Sequence, residues 1–194
     1  RIMLPMISNL PELTSAQKLI DRAYSELTQE EGYQIKRPLT GAMVEVPAAV
    51  YQVKEIARRV DFLSVGTNDL TQYLLAVDRN NERVADLYHH LHPSVLIALM
   101  NIFKQASSSG CHVSICGEMA GDPLSAVLLV GLGYDTLSMS AGSLLRVKSM
   151  LLNITKTEAR VLARKALKMD SAEDVVNYLE SALDRPQIAK LLKS

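Results

Sequence analysis

Asp61-Phe62-Leu63-Ser64-Val65-Gly66-Thr67-Asn68-Asp69-Leu70 is the stretch whose pattern decides the fold. Phe62 to Val65 form a short, largely apolar run that stops at Gly66. Thr67, Asn68 and Asp69 follow as a polar turn. A run without regular polar/apolar alternation suits a strand in a parallel sheet covered on both faces. The same form recurs in both directions, at Ile2 to Ile7 and Thr40 to Val46 upstream and at Val113 to Cys116 and Thr136 to Met139 downstream.

Helix patterns lie between these runs. Leu10-Pro11-Glu12 opens one that extends to about Glu31 and stops at Gly32, a residue suited to a helix C-terminus. Pro47 starts another, with Val50, Val53, Ile56 and Ala57 on one face. Pro93 starts a third, with Val95, Leu99, Ile102 and Phe103 periodic up to Gly110, and Asp122-Pro123 caps a fourth through Ala126 to Val130. Strands alternating with helices, joined by right-handed crossovers, point to a doubly wound sheet or a (β/α) barrel. Five expected strands cannot close an eight-stranded barrel, so the barrel alternative requires sequence upstream. The chain opens at Arg1 within an apolar run, and the expectation is a fragment cut partway through such a barrel. Beyond Met139 no further strand is expected. Thr155 to Leu167, Ser171 to Leu183 and Arg185 to Leu192 read as helices, and Thr155-x-x-Glu158 and Ser171-x-x-Asp174 have the spacing of N-terminal caps. The predicted division is therefore residues 1–150 as barrel and 151–194 as a helical extension.

Bulk properties narrow the function classes. The chain has 194 residues, 48% hydrophobic and 22% charged, with a formal net charge of zero. That balance gives no support for a nucleic-acid or anionic-membrane partner. No apolar run reaches the roughly 18 residues that span a bilayer, and no signal-peptide pattern opens the chain. Cys111 and Cys116 read as free thiols of a reducing cytoplasm rather than as a disulfide framework.

Chemistry-bearing residues gather where the strands end, which is the catalytic face of a parallel barrel. Glu45 closes Gly41-Ala42-Met43-Val44, and a carboxylate there must be paired or bind a metal. Asn68 and Asp69 follow the Gly66 turn. They serve either as helix caps or, with the backbone N–H groups, as anion ligands. Glu45 and Asp69 on adjacent strand ends would suit Mg²⁺, which takes one or two carboxylates and completes its shell with water and substrate oxygens. Arg79 is either a clamp on phosphate or carboxylate or a solvated partner of Asp78. Cys116, beside Gly117, is either a general acid facing the same cavity or a buried apolar cysteine. Glu118 orients the site or caps a helix. His89, His90, His92 and His112 lack a strong metal spacing and are assigned to structure.

Taken together, RIMLPMIS, GAMVEVPAAV, DFLSVGTNDLTQYLLAVDR, LHPSVL, CGEMAGD and TLSMSAGSLLRVK resemble the C-terminal barrel of Enzyme I of the phosphoenolpyruvate-dependent phosphotransferase system. They run in that family's order from residue 1 to about 150, and Asn80-Asn81 looks closer to the nitrogen-regulatory form. The resemblance implies an α/β fold, a partial (β/α)8 TIM barrel containing the last five strands, with C-terminal helices. It implies an enzyme that moves a phosphoryl group from phosphoenolpyruvate to one of its own histidines and on to a histidine phosphocarrier protein. By the same resemblance, Glu45 and Asp69 would ligate Mg²⁺, Asn68, Asp69 and Arg79 would bind phosphoenolpyruvate, and Cys116 would exchange a proton with C3 of the pyruvate enolate. A homodimer is implied, and an unclosed barrel adds exposed strand edges that favour self-association. Two substrate arginines of earlier strands, the phosphohistidine domain and the carrier-binding domain are absent, so the chain alone is expected to be inactive. The alternatives are pyruvate phosphate dikinase or phosphoenolpyruvate synthase, a Mg²⁺-dependent aldolase or lyase of pyruvate enolates, and a degenerate, non-enzymatic half barrel.

Overall fold

The expected central strand forms as β3, Phe62–Gly66, with β2 at Thr40–Val44 on one side and β4 at His112–Cys116 on the other. β1, Ile2–Leu4, and β5, Leu137–Ser138, flank them. This is a computed structural model, and it describes residues 1–186 and 188. All neighbouring strands are parallel and their order is β1-β2-β3-β4-β5. Sequential order without reversal is the winding of a (β/α) barrel. A doubly wound sheet reverses its order at a switch point, so that alternative is excluded. β1 stops well short of Ile7. Pro5 has no N–H to donate, and Met6 takes a left-handed φ of 56°.

The connecting helices follow from local signals. α1, Leu10–Ser25, is capped by Asn9, whose Oδ1 accepts from the Glu12 N–H at 2.9 Å. The helix expected from Pro47 breaks at Tyr51-Gln52 into α2, Pro47–Val50, and α3, Val53–Ala57. α4, Thr67–Leu75, begins directly after β3, so its polar first turn reads in the sequence as a loop. α5, Pro93–Ser108, α6, Glu118–Gly121, and α7, Pro123–Leu132, start where Pro93, Glu118 and Pro123 place them. α8, Ala141–Leu152, was not expected. It exposes Leu144, Leu145 and Leu152, which blurs its apolar periodicity. α9, Lys156–Ala166, carries the expected capping box between Thr155 and Glu158, and Ser171 caps α10, Ala172–Ala182. The helix expected over Arg185 to Leu192 falls mostly outside the described residues.

Strand parity divides the sheet into two unlike faces. Ala42, Val44, Leu63, Val65, Val113 and Ile115 point one way and are buried in one core with helix residues such as Ile56, Leu99 and Leu128. The opposite parity carries Gly41, Met43, Phe62, Ser64, Ser114 and Cys116, paired across the strands in rows. Met43, Phe62, Ser114 and Cys116 are only half-buried there, and His112 is exposed. The expectation of a sheet covered on both faces thus holds for one face among the described residues. The other, which mixes Met43 and Phe62 with glycine, serine and cysteine, is the face that a closed barrel would turn inward. The C-terminal helices join the same core, because α9 packs along α7. Gly131 of α7 rests against the backbone of Ala159, where a Cβ would collide with the carbonyl oxygen.

Candidate active site

Glu45 follows β2 and is 3% exposed. Its Oε1 accepts from the Met6 N–H at 2.7 Å, and its other oxygen crowds Gly66, where no side chain fits. Asp69, in the first turn of α4, lies beside it. Burial pushes the Glu45 carboxyl up from its ordinary range, the Met6 N–H opposes this, and the neighbouring Asp69 adds to the rise. The folded chain therefore holds this proton more tightly than the unfolded chain. The associated stability is complete below the ordinary carboxyl range and is lost as pH rises through the raised folded value. Glu45→Gln is expected to raise thermal stability at about pH 8, with variant and parent converging near pH 4. A variant that melts below the parent at the higher pH would contradict this environment for Glu45.

The β3–α4 junction and the β4–α6 junction interlock. Thr67 Oγ1 donates to the Cys116 carbonyl at 2.9 Å, and the Glu118 N–H donates to Asn68 Oδ1 at 3.0 Å. Gly117 sits between them with φ 109°, and a Cβ there would run into Thr67 Oγ1 and Asn68 Oδ1. With its Oδ1 occupied, Asn68 keeps an amide NH₂ that has no protein partner among the described residues. Asn68 does not cap α4, whose start has no side-chain cap; its side chain instead accepts from the first residue of α6. The Cys116 thiol donates to the Val65 carbonyl at 3.3 Å and accepts from Ser64 Oγ at 3.4 Å. It is half-buried, so the fully buried alternative does not apply.

Arg79 is returned to this end of the sheet by the left-handed Ala76 that ends α4. It makes no ion pair with Asp78 among the described residues; the Asp78 carboxylate instead accepts from the Asn80 N–H at 2.9 Å. The Arg79 guanidinium faces the Tyr88 hydroxyl, which donates to the Asn68 carbonyl at 3.1 Å. Burial raises the Tyr88 hydroxyl and Arg79 opposes that shift.

A cleft of about 780 Å³ opens at this end of the sheet, lined among others by Asn68, Cys116, Glu118, His89, His90 and Arg146. Asn68 and Cys116 thus share one cavity. Glu45, Asp69 and Arg79 are not among its lining residues; they stand next to it through Asp69 beside Asn68 and through Tyr88 between Arg79 and Asn68. The two histidines, assigned to structure from sequence, face the cleft. His89 Nδ1 is buried without a partner among the described residues. Burial lowers His90, opposed by Asp122, with His89 lowering it further and Glu118 opposing. Among the described residues no group of three or more His, Cys, Asp or Glu is arranged to hold a metal. Glu45 and Asp69 could contribute two ligands to a hard cation that takes its other oxygens from water and substrate.

Residues 1–156 match the model of the PEP-utilising enzyme, PEP-binding domain. The chain belongs to that family. Members similar to it are a protein of Salmonella typhimurium and one of Escherichia coli, each named phosphoenolpyruvate-dependent phosphotransferase system. Both are 45% identical over 192 residues, which is 99% of this chain and 26% of either protein. A phosphoenolpyruvate-protein phosphotransferase of Haemophilus influenzae is 40% identical, over 94% of this chain and 32% of its own length. The chain thus spans about a quarter to a third of the relatives it matches. Among solved structures, a citrate lyase of Burkholderia xenovorans aligns with a TM-score of 0.54 at 17% identity, covering 99% of this chain and 67% of that one. That likeness concerns the barrel-type fold alone. In a parallel (β/α) barrel the active-site loops open at the carboxyl ends of the strands, and Asn68 and Cys116 meet at that end of the sheet. No helix among the described residues is long and apolar enough to cross a membrane.

Proposed function

We propose that this chain is the phosphoenolpyruvate-binding part of a phosphoenolpyruvate-protein phosphotransferase. The observation that carries the proposal is the joining of Asn68 and Cys116 in one cleft, held by the interlocked β3–α4 and β4–α6 junctions. Relatives so named match nearly the whole chain, which favours this activity over the dikinase, synthase and lyase alternatives.

In this reading the Asn68 amide and the Arg79 guanidinium bind the phosphate. Arg79 supplies a planar, permanently charged fork suited to phosphate oxygens. Two carboxylates side by side, one of them buried, form a donor set that calls for a cation, so Glu45 and Asp69 fit Mg²⁺. When bound, the ion neutralises charge on the transferring phosphoryl group, which passes through a loose transition state governed by positioning and electrostatics. The phosphoryl group goes to a histidine elsewhere in the longer protein and then to a phosphocarrier protein. The enolate left behind takes a proton at C3 from the Cys116 thiol. The Asn80-Asn81 pair supports a nitrogen-regulatory form, and a homodimer in the cytoplasm completes the proposal.

The test uses the longer protein with phosphoenolpyruvate labelled in the phosphate and Mg²⁺ present. An acid-labile phosphohistidine is expected to form. Arg79→Ala should slow its formation by about a hundredfold, as for loss of a group that stabilises transition-state charge. Labelling that is unchanged after chelation of Mg²⁺, or that is indifferent to Arg79, would sink the proposal.

A further inference from the structure

Ser64 and Ser114 occupy paired positions on β3 and β4 and face the same way. The two hydroxyls are spent differently. Ser114 Oγ donates to the Leu63 carbonyl at 3.3 Å. Ser64, 5% exposed, donates to the Cys116 sulfur at 3.4 Å. The same sulfur gives its own proton to the Val65 carbonyl at 3.3 Å. β3 therefore brackets the thiol with one donor and one acceptor from consecutive residues, while Thr67 fixes the Cys116 carbonyl.

We infer that Ser64 is a positioning residue for Cys116, holding the sulfur through both of its protonation states; this rests on the proposed role of Cys116 as proton donor. In that step the S–H bond breaks and its proton forms a new C–H bond at C3 of the enolate, using the enolate π electrons. The C2–O bond becomes the ketone of pyruvate, and the negative charge remains on sulfur until solvent returns a proton. Before the step, Val65 accepts from the thiol. After it, the sulfur is an acceptor only, and the Ser64 hydroxyl is already aimed at it. A hydrogen bond to the charged form favours that form. Ser64 thus presents a donor to the sulfur once the proton has left, and the Val65 carbonyl an acceptor before it leaves.

The experiment follows alkylation of Cys116 by iodoacetamide across pH, in the chain carrying Cys111→Ser so that a single thiol reports. Ser64→Ala is expected to slow the reaction about threefold near pH 7.5 and to displace the pH profile upward by about half a unit, the equivalent of that factor. Ser64→Thr, which keeps the hydroxyl, should restore the profile. Ser114→Ala, which removes a hydroxyl of equal size that does not touch sulfur, should leave it in place. A Ser64→Ala profile that superimposes on the parent overturns the inference. So does a Ser114→Ala profile displaced as far as that of Ser64→Ala, since this would report general loosening of the sheet. Alkylation reads the contact between Ser64 and sulfur. Whether Cys116 donates the proton is read separately, by isotope exchange in the longer protein, so the two ideas fail on different measurements.

Discussion

Cys116→Ala in the longer protein is expected to cut exchange of solvent deuterium into the methyl group of pyruvate by two to four orders of magnitude, the usual worth of a positioned acid. The two interlocked junctions hold this thiol at the cleft with its hydrogen bonds defined. Alanine removes the proposed proton source and leaves the backbone contacts from Thr67 and Asn68 in place, because these reach the Cys116 carbonyl and the Glu118 N–H. Binding of phosphoenolpyruvate should therefore survive while protonation fails. Mass spectrometry of pyruvate incubated with the enzyme and Mg²⁺ in heavy water reads the outcome directly. Exchange at the parental rate would remove Cys116 from the chemistry and revive an enolate lyase, which has no need of a thiol.

Gly131→Ala carries the largest expected loss of stability. Alanine is the better helix former by about 1 kcal/mol, so propensity alone predicts a gain. The added methyl, however, meets the Ala159 carbonyl and the Ala163 side chain at the closest approach of α7 and α9. Backbone cannot rotate out of the way as a flexible side chain can. Overpacking costs typically 1–3 kcal/mol, and a collision with backbone belongs at the upper end. A net loss of about 2 kcal/mol should lower Tm by roughly 4–8 °C in a chain of this size. Calorimetry on parent and variant decides between the two effects, and an unchanged or raised Tm would mean that α7 and α9 do not approach so closely.

Much of this molecule was legible in its residues. Runs at Phe62 and Thr40 became strands within two residues of their expected bounds, because buried parallel strands leave an unbroken apolar signature. Pro47, Pro93 and Pro123 each opened a helix, since proline is tolerated in the first turn. α4 was hidden because Thr67-Asn68-Asp69 resembles a turn when its partners on β4 are unknown. α8 was hidden because Leu144, Leu145 and Leu152 face outward and break the stripe. The roles of His89 and Tyr88 could not be read either. Both depend on contacts with Asn68 and the cleft from a distant point in the chain, and a local pattern does not encode such contacts. The inner face of the sheet was missed for a related reason. Met43, Phe62 and Ile115 look alike as letters, and only strand parity shows which of them turns toward the open side.

The strictly sequential order of the five strands has a further consequence, for how the molecule is made. Each of the four pairings among the five described strands joins a strand to the one synthesised just before it, so none of these pairings waits for a remote part of the chain. Loop-closure entropy grows slowly with separation, but distant pairings still slow the search. A chain wound in this manner can add one strand-and-helix layer after another as it leaves the ribosome, and the layer already in place serves as the template for the next.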